Sequence, residues 1–268
     1  MDHSHIQVSG LRVRYDGNEI LHGLDFKIDR GEFVSIVGAS GCGKSTLLHA
    51  LAGFVHKEGD IRIPEDVGMV FQNYAVFPWL TVRGNIAFGL SGIGGRQKNV
   101  LIERLINMIG LATDANKYPS QLSGGQVQRV ALARALATDP DVILMDEPFG
   151  ALDMYTREKM QTWLLNVWEA DHKTVLFVTH NIEEAVFLSD RVIVLGQGII
   201  LGEFLIPFDR PRLEKIKFSP AFVELKRQIL ERMQQSFLQP TTPSGGIYHD
   251  NGKFSAERRR EEEPYDQA

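Results

Sequence analysis

Cysteine is nearly missing from this chain. Cys42 stands alone among 268 residues, which excludes an internal disulfide framework and fits a reducing compartment. Long apolar runs are missing too. No stretch reaches eighteen largely apolar residues, and the opening MDHSHIQVSG has neither a positive region nor an apolar segment, so no membrane-spanning helix and no secretion signal are expected. Nor is there a basic excess. Lys and Arg number 29 against 34 Asp and Glu, for a formal net charge of -5. Wrapping nucleic acid favours clustered positive charge, so no nucleic-acid partner is expected. No internal repeat is visible.

What is present is an ordinary core: 43% of the residues are hydrophobic, enough for a full-sized interior. Length leaves open whether this is one large domain with an appendage or two small ones. Short strands are predicted at LRVRY (11–15), ILHGLDFKI (20–28) and EFVSIVG (32–38), with a turn at Asp16-Gly17-Asn18 and a helix over 45–52. GDIRI and VGMVF read as further strands. A helical middle follows, in which QKNVLIERLINMIG spaces its apolar residues by three and four. From residue 141 the pattern alternates: strand DVILMD, helix 154–170, strand TVLFVT, helix 182–188, strand RVIVL. That alternation predicts an α/β fold with a parallel sheet covered on both faces. The core is expected to close near residue 205, followed by a short extension over 206–236 whose helix spans 220–236. Residues 237–268, with PTTPSGG and the charge blocks RRR and EEE, read as a disordered tail.

Residues 38–46, GASGCGKST, fill every position of a G-x-x-x-x-G-K-[ST] phosphate loop between an apolar strand and an apolar helix. Gly38, Ala39, Ser40, Gly41, Cys42 and Gly43 would turn backbone N–H groups toward phosphate oxygens, aided by the N-terminus of the helix. Lys44 would span the β- and γ-phosphates, and Ser45, followed by Thr46, would ligate Mg²⁺. Cys42 is read as a spacer thiol, although the surrounding N–H groups and positive charge are of the kind that lowers a thiol pKa.

VILMDE places Asp146 at the carboxyl end of a strand, where it can hold the metal, with Glu147 beside it to polarise the attacking water. Gln72, after VGMVF, is placed to reach metal and water. His180 closes TVLFVT at the same sheet edge, within reach of the γ-phosphate and Glu147. Tyr15, next to the Asp-Gly-Asn turn, offers an aromatic face to adenine.

A second glycine-rich helix start lies at LSGGQVQRVALARAL (122–136). Ser123, Gly124 and Gly125 offer a hydroxyl, close backbone approach and a positive dipole end, but no lysine. Such a half-site works best closing over a phosphate held by another copy of the chain, which predicts a two-fold dimer with nucleotide sandwiched between the copies.

GASGCGKST, Gln72, LSGGQ, VILMDEP, ALD and His180, in this order, resemble the ATP-binding subunit of the ABC transporter superfamily. The resemblance covers about residues 6–205. It implies a P-loop NTPase with an ABC ATPase core, an antiparallel β subdomain and a helical subdomain at about 73–138, together forming an ATP-binding domain over 1–205. By that likeness Tyr15 would stack on adenine, 38–46 would be the Walker A loop, Gln72 the Q-loop residue and Ser123 to Gln126 the signature. Asp146 would bind the metal, Glu147 would be the catalytic base, and Asp153 would link the two sites across the dimer. Lys44, Gln72 and the switch residue His180 would assist hydrolysis of ATP with Mg²⁺. FQNYAVFPWLTVRGNIAFGL, DEPFGALDMYTREKMQ and THNIEEAVFLSDRVIVL are further similar to the bacterial nitrate, sulfonate and taurine import group. That likeness implies a homodimer beneath two integral-membrane permease subunits, peripheral on the cytoplasmic face of the inner membrane and supplied by an extracytoplasmic solute-binding protein. An exporter ATPase of the same fold is the nearest alternative. A soluble non-transport ABC ATPase is further off, because the interval from Lys44 to Ser123 holds no sustained heptads.

Overall fold

In the computed structural model, residues 4–90, 94–150 and 152–238 are described. The centre of the molecule is built from β3 (Phe33–Val37), β6 (Val142–Asp146), β7 (Thr174–Thr179) and β8 (Arg191–Gly196), whose residues are nearly all buried. Uninterrupted apolar strands of this kind need cover on both faces. The period of two divides them cleanly. Phe33, Ile143, Val175 and Val194 enter one core, while Val34, Leu144, Leu176 and Ile193 enter the other. A register slip of one residue would exchange the two sets.

With β5 (Val67–Val70) and β9 (Ile199–Leu205) at the edges, the strand order is β5-β6-β7-β3-β8-β9. The first five run parallel. β9 departs from the expected parallel sheet: it turns back antiparallel on β8 through Gln197 and Gly198, both at positive φ. Two such residues make the tight hairpin connection. A second sheet, β2-β1-β4, is antiparallel and consists of β1 (Ser4–Tyr15), β2 (Asn18–Asp29) and β4 (Glu58–Arg62). Its inner residues, among them Ile6, Val8, Leu24 and Phe26, pack with α1 (Lys44–Leu51) on one face of the large sheet.

The opposite face is covered by α5 (Met154–Asp171), α6 (Ile182–Leu188) and α7 (Pro220–Leu238). α7 runs two residues past the expected end of the terminal helix. The expected tail from residue 239 onward lies outside the described residues. A third apolar cluster joins α2 (Val82–Gly89), α3 (Gly95–Met108) and α4 (Gly124–Ala137). α2 was not expected, because eight residues containing two glycines and flanked by aromatics carry little helical signal. Its entrance explains it. Thr81 Oγ1 accepts from Gly84 N at 3.1 Å, and the fully buried Asn85 amide binds the backbone of Phe77, Leu80 and Thr81. Trp163 of α5 packs against both helical cores and donates its indole N–H to Met108 O at 3.1 Å. Among the described residues, no helix is long and apolar enough to cross a membrane.

Candidate nucleotide site

β3 delivers the chain to the phosphate loop. A side chain at Gly38 would place its Cβ 2.2 Å from Leu195 O, and Gly43, at φ 105°, would place one 2.7 Å from Leu21 Cδ2. Glycine is therefore required at both positions by contacts within this chain. Lys44 is 5% exposed. Its ammonium donates to Gly38 O at 2.9 Å and Ala39 O at 3.0 Å and lies 3.8 Å from Glu147 Oε1. Ser40 and Gly41 form the open rim, and Ser45 and Thr46 are half-buried behind it. Cys42 is buried, and burial pushes its thiol up despite the nearby Lys44 charge. This agrees with the spacer reading and runs against a lowered thiol pKa. Its carbonyl accepts from Gly198 N at 3.1 Å, so the β8–β9 turn braces the loop from behind. Gly198 and Leu195 carried no signal in the sequence, because a brace supplied by backbone atoms leaves no residue type to find.

Asp146 lies beside this loop, accepting from Ser45 Oγ at 3.1 Å. Burial raises its carboxyl above the usual range, ahead of the opposing Ser45 bond. A hard cation there would favour the charged form. Two oxygen donors fit Mg²⁺, which usually keeps only one or two protein ligands and completes its shell with phosphate and water. Among the described residues no group of three His, Cys, Asp or Glu could hold a metal alone. Glu147 follows at φ 42°, its N–H bonded to Val178 O and its Oε2 2.9 Å from His180 Nδ1. Of the four expected catalytic residues, Lys44, Glu147 and His180 are thus linked through Glu147, and the expected metal ligands Ser45 and Asp146 through their own bond. Gln72 is not brought to them: it is exposed in the turn after β5, and no hydrogen bond joins it to Ser45 or Asp146. Tyr15 ends β1 and is 41% exposed, leaving an aromatic surface available.

The signature turn is a separate unit. Ser123 caps α4 through a reciprocal box, in which its N–H bonds Gln126 Oε1 at 2.9 Å and its Oγ accepts from Gln126 N at 3.3 Å. Gln126 Nε2 also donates to Asp114 Oδ2 at 3.0 Å. Gln126, expected to touch nucleotide, is therefore engaged at both ends within its own chain. Asp114 was missed because an acidic residue in a polar loop resembles any solvated one. Gly125 packs toward its own chain, where a Cβ would meet Thr156 Cγ2 at 2.7 Å, whereas Gly124 has room. Among the described residues, no hydrogen bond or ion pair joins 123–126 to the phosphate loop.

Asp153 caps α5 by accepting from Thr156 N at 3.0 Å, and these hydrogen bonds hold its carboxyl below the usual range. Ala151, in the same motif, lies outside the described residues. Arg157, one turn into α5, grips the carbonyls of Phe149 and Leu152 and lies 3.4 Å from the buried Glu184. Sequence reasoning assigned neither residue a role.

Residues 21–150 match the family described as ABC transporter. The taurine import ATP-binding protein TauB of Escherichia coli O157:H7 is 39% identical over 246 residues, covering 85% of this chain and 96% of its own. The aliphatic sulfonates import ATP-binding protein SsuB 1 of Streptomyces avermitilis is 42% identical over 231 residues, covering 86% of each chain. Among solved structures, the dimeric post-hydrolysis state of the ATP-binding cassette MJ0796 bound to ADP and Pi aligns with a TM-score of 0.68. It is 33% identical and covers 76% of this chain and 100% of its own. Identity spread over more than four-fifths of the chain extends well beyond the shared motifs, and the chain belongs to the ABC transporter family as an ATP-binding subunit.

Proposed function

We propose that two copies of this chain close head to tail around two ATP molecules and use their hydrolysis to drive a membrane permease that imports a small anion such as nitrate, a sulfonate or taurine. The observation that carries the dimer is the separation of the two half-sites. Residues 38–46 and Asp146 assemble within one chain, while Ser123 and Gly124 are exposed and capped with nothing of their own chain's phosphate loop against them. The dimeric, nucleotide-bound state of a relative 33% identical is consistent with that reading. Taurine and aliphatic sulfonates are the solutes named for two relatives, which supports a sulfonate-like anion for this one.

In this scheme the loop from Gly38 to Thr46 holds the phosphates of ATP in its own chain. Lys44 exchanges its bonds to Gly38 O and Ala39 O for phosphate oxygens, and Tyr15 lies against the base. Mg²⁺ held by Ser45 and Asp146, and on closure by Gln72, would neutralise phosphate charge. Glu147 accepts a proton from the attacking water, and His180, 2.9 Å from it, fixes the carboxylate's orientation. Ser123, Gly124 and Gly125 of the partner supply donors to the same phosphates, while Gln126 keeps that turn rigid and Asp153 reaches across to the partner's loop. Closure occurs because ATP binds the closed pair better than the open one.

The permease would sit at the exposed aromatic surface around Trp79 and Phe88, where Phe77 packs on both rings and Arg134 lies over Phe77. Docked there, the subunit would be peripheral on the cytoplasmic face of the membrane, with a solute-binding protein delivering substrate from the other side. Glu147→Gln with Mg-ATP is expected to form a stable dimer by light scattering and to lose hydrolysis. A monomer that hydrolyses at the parental rate would refute the scheme. ATPase of the co-purified permease complex should be stimulated by a sulfonate; stimulation by an unrelated solute class would overturn the substrate.

A further inference from the structure

We propose that Arg157 and Glu184 form a positioning pair that transmits the placement of the Asp153 turn, and with it the state of the partner's site, to His180 and Glu147. This inference rests on the dimer reading above. Arg157 Nη2 donates to Leu152 O at 2.8 Å and Nε to Phe149 O at 3.3 Å, so one guanidinium holds both sides of the turn that leads into Asp153. The same Nε lies 3.4 Å from Glu184 Oε1. The other carboxylate oxygen of Glu184 accepts from Thr179 Oγ1 at 2.7 Å.

Thr179 directly precedes His180, and its Oγ1 accepts in turn from Asn181 N at 3.0 Å, on the other side of that histidine. Asn181 Oδ1 receives Glu183 N at 2.9 Å and Glu184 N at 3.4 Å, which closes the loop on α6. The backbone around His180 is therefore clasped to Glu184 from both sides. The imidazole itself is largely exposed and has Glu147 as its bonded partner, so its position follows that clasp.

Stability does not account for this arrangement. Glu184 is 4% exposed, and burial raises its carboxyl above the usual range despite Arg157 and Thr179. Buried ion pairs are often replaced by apolar residues at no loss. What an apolar pair would not do is bind two carbonyls of one loop and a hydroxyl of another at once. The fork of Arg157 and the two oxygens of Glu184 do so, and form a short polar connection from the partner-facing turn to the general base.

Two variants of the full chain test the pair. Glu184→Gln keeps shape and the Thr179 bond but removes the charge. Arg157→Lys keeps charge but loses the fork. Both are expected to lower the melting temperature of the nucleotide-free chain, since each removes one side of a buried polar contact, while leaving it folded at the assay temperature and the KM for ATP unchanged. The turnover rate should fall about fivefold or more, with the Hill coefficient for ATP moving from its cooperative wild-type value towards one. The double variant should be no slower than the worse single one, as for residues acting as a unit. Unchanged turnover and Hill coefficient in both variants would overturn the pair, as would a loss that tracks the folded fraction by circular dichroism. Non-cooperative hydrolysis by the wild-type chain would overturn the dimer reading itself, whereas a cooperative wild type with unaffected variants overturns only the pair.

Discussion

The phosphate loop and the signature turn are both glycine-rich helix entrances, yet their glycines answer to different surroundings. At the phosphate loop, Gly38 and Gly43 are forced by atoms of the same chain, Leu195 O and Leu21 Cδ2, and Lys44 is buried against its own carbonyls. At the signature turn the division runs through the pair: Gly125 is pressed against Thr156 of its own chain, while a Cβ at Gly124 would meet Leu152 Cδ2 at an ordinary 3.8 Å. Of two adjacent glycines in one motif, one is thus fixed by the packing of its own chain and the other is not.

The largest effect is expected from separating the two half-sites onto different chains. Lys44→Ala and Ser123→Arg should each reduce ATP hydrolysis about a hundredfold when purified alone. Mixed in equal amounts, they should recover activity, up to roughly a quarter of wild type, since half the dimers would then hold one intact site. A mixture no more active than its parts would mean that the two motifs do not meet across a dimer. Next comes a contrast in stability without nucleotide. Gly43→Ala should cost about 2 kcal/mol in urea unfolding through its positive φ and the Leu21 contact. Gly124→Ala should change stability by less than about 0.5 kcal/mol while still slowing hydrolysis.

Gly125→Ala should lie between them, at about 1 kcal/mol, and Thr156→Ser should relieve it by removing the methyl group it meets. Failure of that relief would locate the cost elsewhere. The smallest effect belongs to neither site. On α7, hydrogen bonds from Arg227 and Gln228 hold Glu224 down at about 2 from an ordinary 4.5. Its depressed folded pKa makes its contribution present above 4.5 and lost as pH falls toward about 2. The pair is exposed, so the effect on amide exchange in α7 should be slight and weakened further by salt.

Much of the central fold was legible because strands buried on two faces leave uninterrupted apolar runs, as in VILMD and TVLFVT. β9 was not, since an edge strand with a mixed burial pattern carries no such run. α2 was hidden for a different reason: its start is organised by Asn85 binding a loop, and no periodicity records a hydrogen bond. At the site, Lys44, Ser45, Asp146, Glu147 and His180 were readable as residue types at strand ends, and the structure brings them together. Gln72 was readable as a type, yet its side chain stands apart in an exposed turn. Gln126 was readable as part of a motif, but its hydrogen bonds place it in the cap and against Asp114. Arg157 was invisible because its partners are mainly carbonyls, which every residue possesses.

The place of β3 in the sheet has a consequence for how the protein is made. β3 ends at residue 37, but its two neighbours are β7 and β8, whose pairing with it extends to Thr179 and Val194. A ribosome therefore releases the phosphate loop long before either flanking strand exists. Until the β8–β9 turn has emerged, Gly198 is not there to brace Cys42, and until β6 has emerged, Asp146 is not there to meet Ser45. Such long-range pairing forms late and slowly. The nascent chain thus acquires a braced phosphate loop only once residues as far as Gly198 have emerged, so nucleotide binding depends on strands made long after the loop itself.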